Sequence, residues 1–223
     1  MSLFGKRELD LRSWWQSVRD IAEIVLVCVA GILLALVLLR VAFPSIDRDW
    51  ALAVYNAGAP NSALDDFTGY VASIGYFVWI PLIFWMYVFR KTEHGWHSAI
   101  VLAVAIVMAM GLVELLKVGF NLPRPYQPLN APIVPQITPK FETPSPINQG
   151  FPSGHTTTAF ATATVILGRY RNWGYLFLGI AIGTGISMVH LGLHFPSDVI
   201  AGGFLGALCG TFALRLARYR QGF

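Results

Sequence analysis

Apolar residues occur in long blocks separated by short polar turns, a pattern typical of helices that cross a membrane. A segment that spans a bilayer must satisfy its own backbone hydrogen bonds, and an α-helix does so within one segment. The pattern therefore predicts an all-α, polytopic membrane protein with a helical bundle core and short surface helices. We place six transmembrane helices, at residues 21–43, 74–89, 98–116, 155–170, 175–192 and 199–216.

The segments between these spans differ in character, and we interpret residues 1–223 as a single membrane-embedded domain. Residues 1–20 interleave basic and apolar side chains, which is typical of an interfacial segment lying on the membrane surface. Residues 46–70 mix acidic and apolar side chains and predict one or two short helices on the opposite surface. Residues 118–152 hold nine of the thirteen prolines, which favours a long functional loop over a helix.

The composition agrees with a membrane protein and excludes an ordinary soluble domain. Hydrophobic residues make up 55% of the chain and charged residues 13%, and the mean hydropathy is +0.58. The net charge of +4 does not indicate nucleic-acid binding, because the basic residues are dispersed over short loops. Cys28 and Cys209 lie inside apolar blocks, which favours buried thiols over a disulfide or a metal site.

The distribution of basic residues predicts which way the chain faces. Eleven of the sixteen Lys and Arg residues lie at the two termini and in the turns at residues 90–91 and 169–171. Basic loops favour the cytoplasmic side, so we expect a multi-pass protein of the cell membrane with both termini in the cytoplasm. Six spans then place the long loop, and the turns after the first and fifth spans, on the outer face.

The stretch at residues 150–158 ends the proline-rich loop and begins an apolar helix. Ser153 and Gly154 are small, so an anion can approach the unpaired N–H groups at the positive end of the helix dipole. His155 follows with a side chain that can bind and release a proton near neutral pH. We interpret this helix start as a phosphate-binding site, although a Ser-Gly pair also begins helices that bind no ligand.

Two further motifs flank this helix start: Lys117-x6-Arg124-Pro125 before it, and Ser187-x6-His194-x3-Asp198 after it. The predicted topology puts all three motifs on the outer face. Phosphoryl transfer needs an in-line nucleophile, a proton for the leaving oxygen and positive charge around the phosphoryl oxygens. His194 and Asp198 can supply a His–carboxylate pair in which the acid fixes the tautomer of the imidazole.

A metal site is the alternative for these residues, because histidines and an aspartate can also bind zinc. Lys117 and Arg124 would repel a cation from the same pocket, however, and the helix start favours an anion. We therefore expect no metal.

Other residues in the spans have plainer interpretations. Glu114 precedes Lys117 by three residues, which predicts a local ion pair, and Arg40 is expected to extend towards the lipid headgroups. Small residues at every fourth position predict close helix packing along two faces, formed by Gly179, Gly183 and Ser187 and by Gly202, Gly206 and Gly210.

Together the three motifs resemble the signature of the type 2 phosphatidic acid phosphatase family, which includes lipid phosphate phosphatases and bacterial phosphatidylglycerophosphate and undecaprenyl-diphosphate phosphatases. The resemblance implies that His194 is the nucleophile that forms a phosphohistidine, that Asp198 orients it and that His155 protonates the leaving group. It also implies that no cofactor is needed. The phosphoryl oxygens would be bound by Lys117, Arg124, Ser153 and the N–H of Gly154.

One position departs from the family pattern. The third motif of the family begins Ser-Arg, and that Arg binds phosphate, whereas this chain has Ser187-Met188. His190 could replace the charge only in part, because on a helix it points away from position 188. The resemblance implies an enzyme acting on a lipid phosphate or diphosphate held in the bilayer. A lipid phosphotransferase with the same intermediate, and a non-catalytic phospholipid-binding transporter or scaffold, stay open as alternatives.

Overall fold

The computed structural model describes residues 11–57, 63–89, 93–126 and 149–221, and the regular structure in these ranges is entirely helical. The predicted all-α class is therefore confirmed for this part of the chain. Residues 1–10 of the predicted interfacial segment and residues 127–148 of the predicted loop lie outside it. In chain order the helices are α1 (Leu11–Leu34), a π-helix that continues it (Ala35–Ala42), α2 (Pro44–Tyr55), α3 (Ala63–Phe77), α4 (Trp79–Phe89), α5 (Glu93–Phe120), α6 (Gly154–Arg169), α7 (Arg171–His190) and α8 (Pro196–Gln221).

Four stretches of helix are long and apolar enough to cross a membrane, namely Ala22–Ala42, Gly95–Phe120, Arg171–His190 and Pro196–Ala217. The bent pair of α3 and α4 makes a fifth if it is counted as one span. Helix α6 has 16 residues, so it is about 24 Å long, which is less than the roughly 30 Å of a hydrocarbon core. The described residues thus contain four or five spans, and the sixth stays a prediction.

The second predicted span, residues 74–89, is not one straight helix. Helix α3 begins at Ala63, passes through the predicted boundary at residues 70–74 and ends at Phe77. Pro81 has no N–H to donate to the carbonyl of Phe77, and its ring crowds that carbonyl, so the helix breaks there and α4 leaves at an angle of 46°. The proline was visible in the sequence, and its position accounts for the break.

Glycines let α8 pack closely on α6. A Cβ added at Gly202 would lie 2.7 Å from the backbone oxygen of Ser153, and one added at Gly206 would lie 2.3 Å from that of Thr157. The predicted packing face that contains Gly202, Gly206 and Gly210 is therefore confirmed, and it brings the first turns of α6 and α8 side by side.

The second predicted packing face is confirmed only in part. A Cβ added at Gly183 would lie 3.2 Å from the side chain of Val71 in α3, so this glycine does face a neighbouring helix. At Gly179 an added Cβ would meet no described atom within 4 Å. Helix α7 therefore uses small residues for close packing near its carboxyl end, where the α7–α8 turn begins.

We expect Gly206→Ala to destabilise the protein by about 1–3 kcal/mol, because the added methyl would overlap the backbone of α6. The measurement is the thermal unfolding temperature in detergent. Gly179→Ala is the matched control: it makes the same change at a position of α7 where an added Cβ meets no described atom within 4 Å, so it should leave the unfolding temperature unchanged or raise it slightly. Equal effects of the two substitutions would contradict the packing described here.

Candidate active site

A tight turn after α7 places His194 at the start of α8. Gly192 has a φ of 73°, a left-handed conformation that glycine adopts without a steric penalty. The N–H of Leu193 donates to the carbonyl of Met188 at 3.1 Å, and the N–H of Gly192 donates to that of Val189 at 3.0 Å. This hydrogen-bond pattern is a Schellman motif. The motif ends α7, and the N–H of His194 donates a second hydrogen bond to the carbonyl of Met188, at 3.2 Å.

Asp198 lies in the first turn of α8 and faces His194 across that turn. Its Oδ2 accepts the backbone N–H of Phe195 at 2.9 Å, as the acid of a capping box does, and lies 3.4 Å from Nδ1 of His194. The carboxylate therefore favours the tautomer with its proton on Nδ1, which leaves Nε2 with a free lone pair. The distance is at the long end for a hydrogen bond.

The environment of His194 keeps its imidazole neutral. Burial is the main cause that lowers the pKa of His194 below its ordinary value. The hydrogen bond to Asp198 acts in the opposite direction, while the positive charges of Arg124 and Lys117 lower the pKa further. Only a neutral imidazole has a lone pair for nucleophilic attack, so the lowered pKa favours the form of His194 that can act as a nucleophile.

The start of α6 lies directly beside the start of α8. Ser153 precedes the helix, and its buried hydroxyl accepts hydrogen bonds from the N–H and the hydroxyl of Thr156, at 3.5 and 3.1 Å. Its backbone N–H donates to the carbonyl of Asp198 at 3.0 Å. Ser153 is thus the N-cap of α6 and also links the two helix ends.

The cations of the first motif lie at the same end of the bundle. Lys117 is in the last turn of α5, and its ammonium group would be 3.8 Å from a Cβ added at Gly154. It also pairs with Glu114 at 2.9 Å, which confirms the predicted ion pair. Lys117 therefore places positive charge against the first turn of α6.

Gly150 allows the other cation to approach the His–carboxylate pair. A Cβ added there would lie 3.3 Å both from Cγ of Arg124 and from Oδ2 of Asp198. The N–H of Gly150 donates to the carbonyl of Leu122 at 2.6 Å, which joins the two ends of the segment that leaves α5 and returns to α6. Because residue 150 has no side chain, Arg124 and Asp198 can both pack against its Cα.

His155 follows Gly154 in the first turn of α6 and is partly buried. Its ring stacks on Tyr76 of α3, with 4.3 Å between ring centroids and an angle of 31° between planes. The structure therefore brings all the predicted site residues to one end of the bundle, where α5 ends and where α6 and α8 begin: Lys117, Arg124, Ser153, Gly154, His155, His194 and Asp198.

Neither Met188 nor His190 supplies the missing charge of the third motif. Met188 is 2% exposed and packs in an apolar cluster with Ala72, Leu191 and Leu193. His190 is held by the carbonyl of Val54, 3.0 Å from Nδ1, and by Asp65, 2.8 Å from Nε2. Both ring nitrogens of His190 are therefore engaged by α2 and α3, so this side chain does not take the place of the family Arg.

Two acids in residues 46–70 are buried, which the sequence does not indicate. Asp47 is 1% exposed and Asp65 is 6% exposed, and each has a buried partner. The expectation for Arg40 is wrong: its side chain is 12% exposed and lies 3.5 Å from Asp47 instead of extending to the headgroups. The only hint in the sequence is the seven-residue spacing of Arg40 and Asp47 across Pro44, where α2 begins.

Comparisons with known proteins agree on one family. Residues 98–221, just over half of the chain, match the PAP2 superfamily and include all three motifs. The chain is 31% identical to the crystal structure of Aquifex aeolicus LpxE, with a TM-score of 0.62 over 74% of this chain and 93% of that one.

Two curated relatives match over shorter segments. The bacitracin transport permease protein BcrC of Bacillus licheniformis is 33% identical over 112 residues, which is 50% of this chain and 53% of the relative. An undecaprenyl-diphosphatase of Sulfolobus acidocaldarius is 31% identical over 142 residues, which is 63% of this chain and 64% of the relative. The chain thus spans between half and two thirds of the length of these two proteins.

Proposed function

Because this chain belongs to the PAP2 superfamily, we propose that it is an integral membrane phosphatase that hydrolyses a lipid phosphate or lipid diphosphate. The convergence of a neutral histidine, its carboxylate, two cations and the start of α6 at one end of the bundle supports this proposal. Such a site is suited to an anionic phosphoryl group and a nitrogen nucleophile.

In the proposed first step, Nε2 of His194 attacks phosphorus, the bond from phosphorus to the leaving oxygen breaks, and a phosphohistidine forms. His155 gives its proton to the leaving oxygen. Asp198 stabilises the positive charge that the ring of His194 gains. In the second step, His155 removes a proton from water, the resulting oxygen attacks phosphorus, and the bond to His194 breaks. Inorganic phosphate leaves and both histidines return to their starting states.

The positive groups stabilise the transition state in both steps. Lys117, Arg124 and the N–H groups at the start of α6 would bind the equatorial oxygens of the phosphoryl group. Ser153 would contribute mainly by holding the helix start, because its hydroxyl already caps α6 and its N–H bonds to Asp198. No step in this mechanism is assigned to a cofactor.

The substrate is proposed to be a lipid whose phosphate lies at headgroup depth and whose tail stays in the bilayer. Helix α6 is about 24 Å long, so the phosphate-binding end of the bundle would lie near one surface of the hydrocarbon core. The relative from Sulfolobus acidocaldarius is named for undecaprenyl diphosphate. A polyprenyl diphosphate is therefore the first substrate to test, with phosphatidylglycerophosphate as the second.

The direct test is phosphate release from these lipids by the purified full-length protein in detergent, in a buffer that contains a metal chelator. We expect hydrolysis of at least one of them. Release only when a sugar or lipid acceptor is added would instead support the phosphotransferase. Binding without turnover would support the non-catalytic transporter or scaffold, which the apolar packing of Met188 favours.

We further propose six spans, with both termini in the cytoplasm and the site on the outer face of the cell membrane, as the basic residues indicate. A cysteine introduced as Gln136→Cys is expected to react with an impermeant thiol reagent added to intact cells. The parent chain is the control, because Cys28 and Cys209 are both buried. Labelling that requires lysis of the cells would place the site on the cytoplasmic face.

A further inference from the structure

The first turn of α8 needs an acceptor for the N–H of Ser197, because Phe195, the residue before the helix, has no polar side chain to accept it. In most helices a Ser, Thr, Asp or Asn side chain at the N-cap accepts a hydrogen bond from an N–H of the first turn. In α8 the N-cap residue, which precedes Pro196, is Phe195. Asp47 of α2 supplies the acceptor instead. Its Oδ1 accepts the N–H of Ser197 at 2.9 Å, and its Oδ2 accepts the hydroxyl of Ser197 at 2.6 Å. A carboxylate 150 residues earlier in the chain thus caps α8.

Ser197 lies between the two residues of the His–carboxylate pair. Asp198 follows it directly, and His194 precedes it by three residues. A cap that fixes the position of Ser197 therefore fixes the turn that carries both His194 and Asp198. Asp47 is almost fully buried, so it has little freedom to move away from this position.

Arg40 extends the same network to the other side of the site. One guanidinium nitrogen donates to the carbonyl of Pro123 at 2.6 Å, and another lies 3.5 Å from Asp47. The guanidinium carbon lies 3.9 Å from the centre of the ring of Phe195, a cation–π contact. Pro123 is next to Arg124, and Phe195 is next to His194. Arg40 therefore contacts both the segment that carries Arg124 and the turn that carries His194.

We propose that Asp47 and Arg40 are positioning residues, which hold the first turn of α8 against the segment that carries Arg124 and so align His194 with the bound phosphoryl group. Both lie outside residues 98–221, the part of the chain that matches the family. The first span and α2 therefore complete the active site and do more than anchor the chain. The kinetic consequence depends on the proposed phosphatase activity, whereas the orientation of the His194 ring does not.

The test compares Asp47→Asn with Asp49→Asn. Asp49 is on the same helix, but its side chain is 62% exposed and pairs with the neighbouring residue Arg48 at 3.1 Å. Asp47→Asn keeps the shape and removes the charge and one acceptor. Because a small displacement of a reacting group costs on the order of 100-fold in rate, we expect kcat to fall by about 10- to 100-fold while KM changes little. Asp49→Asn should keep the parental kcat.

Ser197→Ala is a milder second variant, because it keeps the backbone bond to Asp47 and removes only the hydroxyl. It should lower kcat by less than Asp47→Asn, and the double variant should lose no more than Asp47→Asn alone, since both act through one contact. Parental kcat per folded molecule in Asp47→Asn, or strictly multiplicative losses in the double variant, would overturn the proposal.

Nitrogen NMR of the histidine rings tests the positioning role of Asp47 without depending on phosphatase activity. The signal of His194, assigned with His194→Ala, should show the Nδ1–H tautomer in the parent and in Asp49→Asn, and a mixture of tautomers in Asp47→Asn. An unchanged ring signal in Asp47→Asn would refute the positioning role, even if the parent hydrolyses none of the lipids tested. A changed signal would support that role whether or not lipid hydrolysis is found.

Discussion

Replacing His194 by alanine is expected to abolish turnover, with a fall in kcat of at least about 10⁴-fold. The substitution removes the only group proposed to form a bond to phosphorus, and loss of a nucleophile that acts as one unit with its partners has an effect of this size in other hydrolases. The cations and the start of α6 would remain, so substrate should still bind. The measurements are phosphate release and the equilibrium binding of the same lipid.

His190→Gln is the matched control for this variant. His190 is also buried near the end of α7, but it is held by Asp65 and Val54 and is placed outside the proposed chemistry. Its substitution should lower the unfolding temperature and leave turnover by the folded protein largely intact.

A second measurement on the His194 variant tests the intermediate itself. Rapid quenching of the parent with a radiolabelled lipid phosphate should trap an acid-labile phosphoenzyme, and His194→Ala should trap none. A His194→Ala protein that still turns over or still becomes labelled would show that another residue is the nucleophile.

Replacing His155 by alanine is expected to lower turnover of a lipid phosphate by about 10²- to 10⁴-fold, the usual contribution of a general acid. The loss should depend on the leaving group. An alkoxide needs a proton as it leaves, whereas nitrophenolate does not, so nitrophenyl phosphate should still form the phosphohistidine at a rate close to that of the parent.

The same variant should reveal the second role of His155. Hydrolysis of the phosphohistidine needs a base to deprotonate water, and the leaving group has already departed by then. The variant should therefore release one equivalent of nitrophenol rapidly and then turn over slowly. An equal loss with all leaving groups, and no burst, would remove His155 from the proton-transfer role.

Tyr76→Phe is the control for this prediction, since it keeps the ring that stacks on His155 and removes only the hydroxyl. We expect this variant to behave like the parent with every leaving group. Tyr76 belongs to α3, which lies outside residues 98–221, so the stacking contact is another contribution of the amino-terminal half to the site.

The sequence by itself determined the helical class and the residues that meet at the site. Apolar blocks of about twenty residues have few folds available, because every backbone N–H and C=O in a bilayer must be paired within the segment. The three motifs lie at the ends of such blocks, at Lys117 before the long loop, at Ser153 after it and at His194 between two helices. The position of a motif relative to its apolar block shows whether it lies at the start or at the end of the helix.

The sequence also contained the local signals for the turns. Gly192 after an apolar helix allows the left-handed residue of a Schellman motif, and Pro81 accounts for the break between α3 and α4. Each of these effects involves residues within about five positions of one another. The pattern of hydrophobic positions alone does not indicate the break, because the apolar run continues through Pro81 without a polar residue.

Only the tertiary structure decided which charged side chains are buried and what they contact. The sequence around Asp47 suggests a surface acid, because its partner Ser197 is 150 residues away. The sequence around Arg40 suggests a contact with lipid headgroups, because Pro123 is 83 residues away. Whether such groups meet depends on how far each helix is rotated about its axis and how closely its neighbours approach. Packing across the whole bundle sets those two quantities, and no local pattern of residues encodes them.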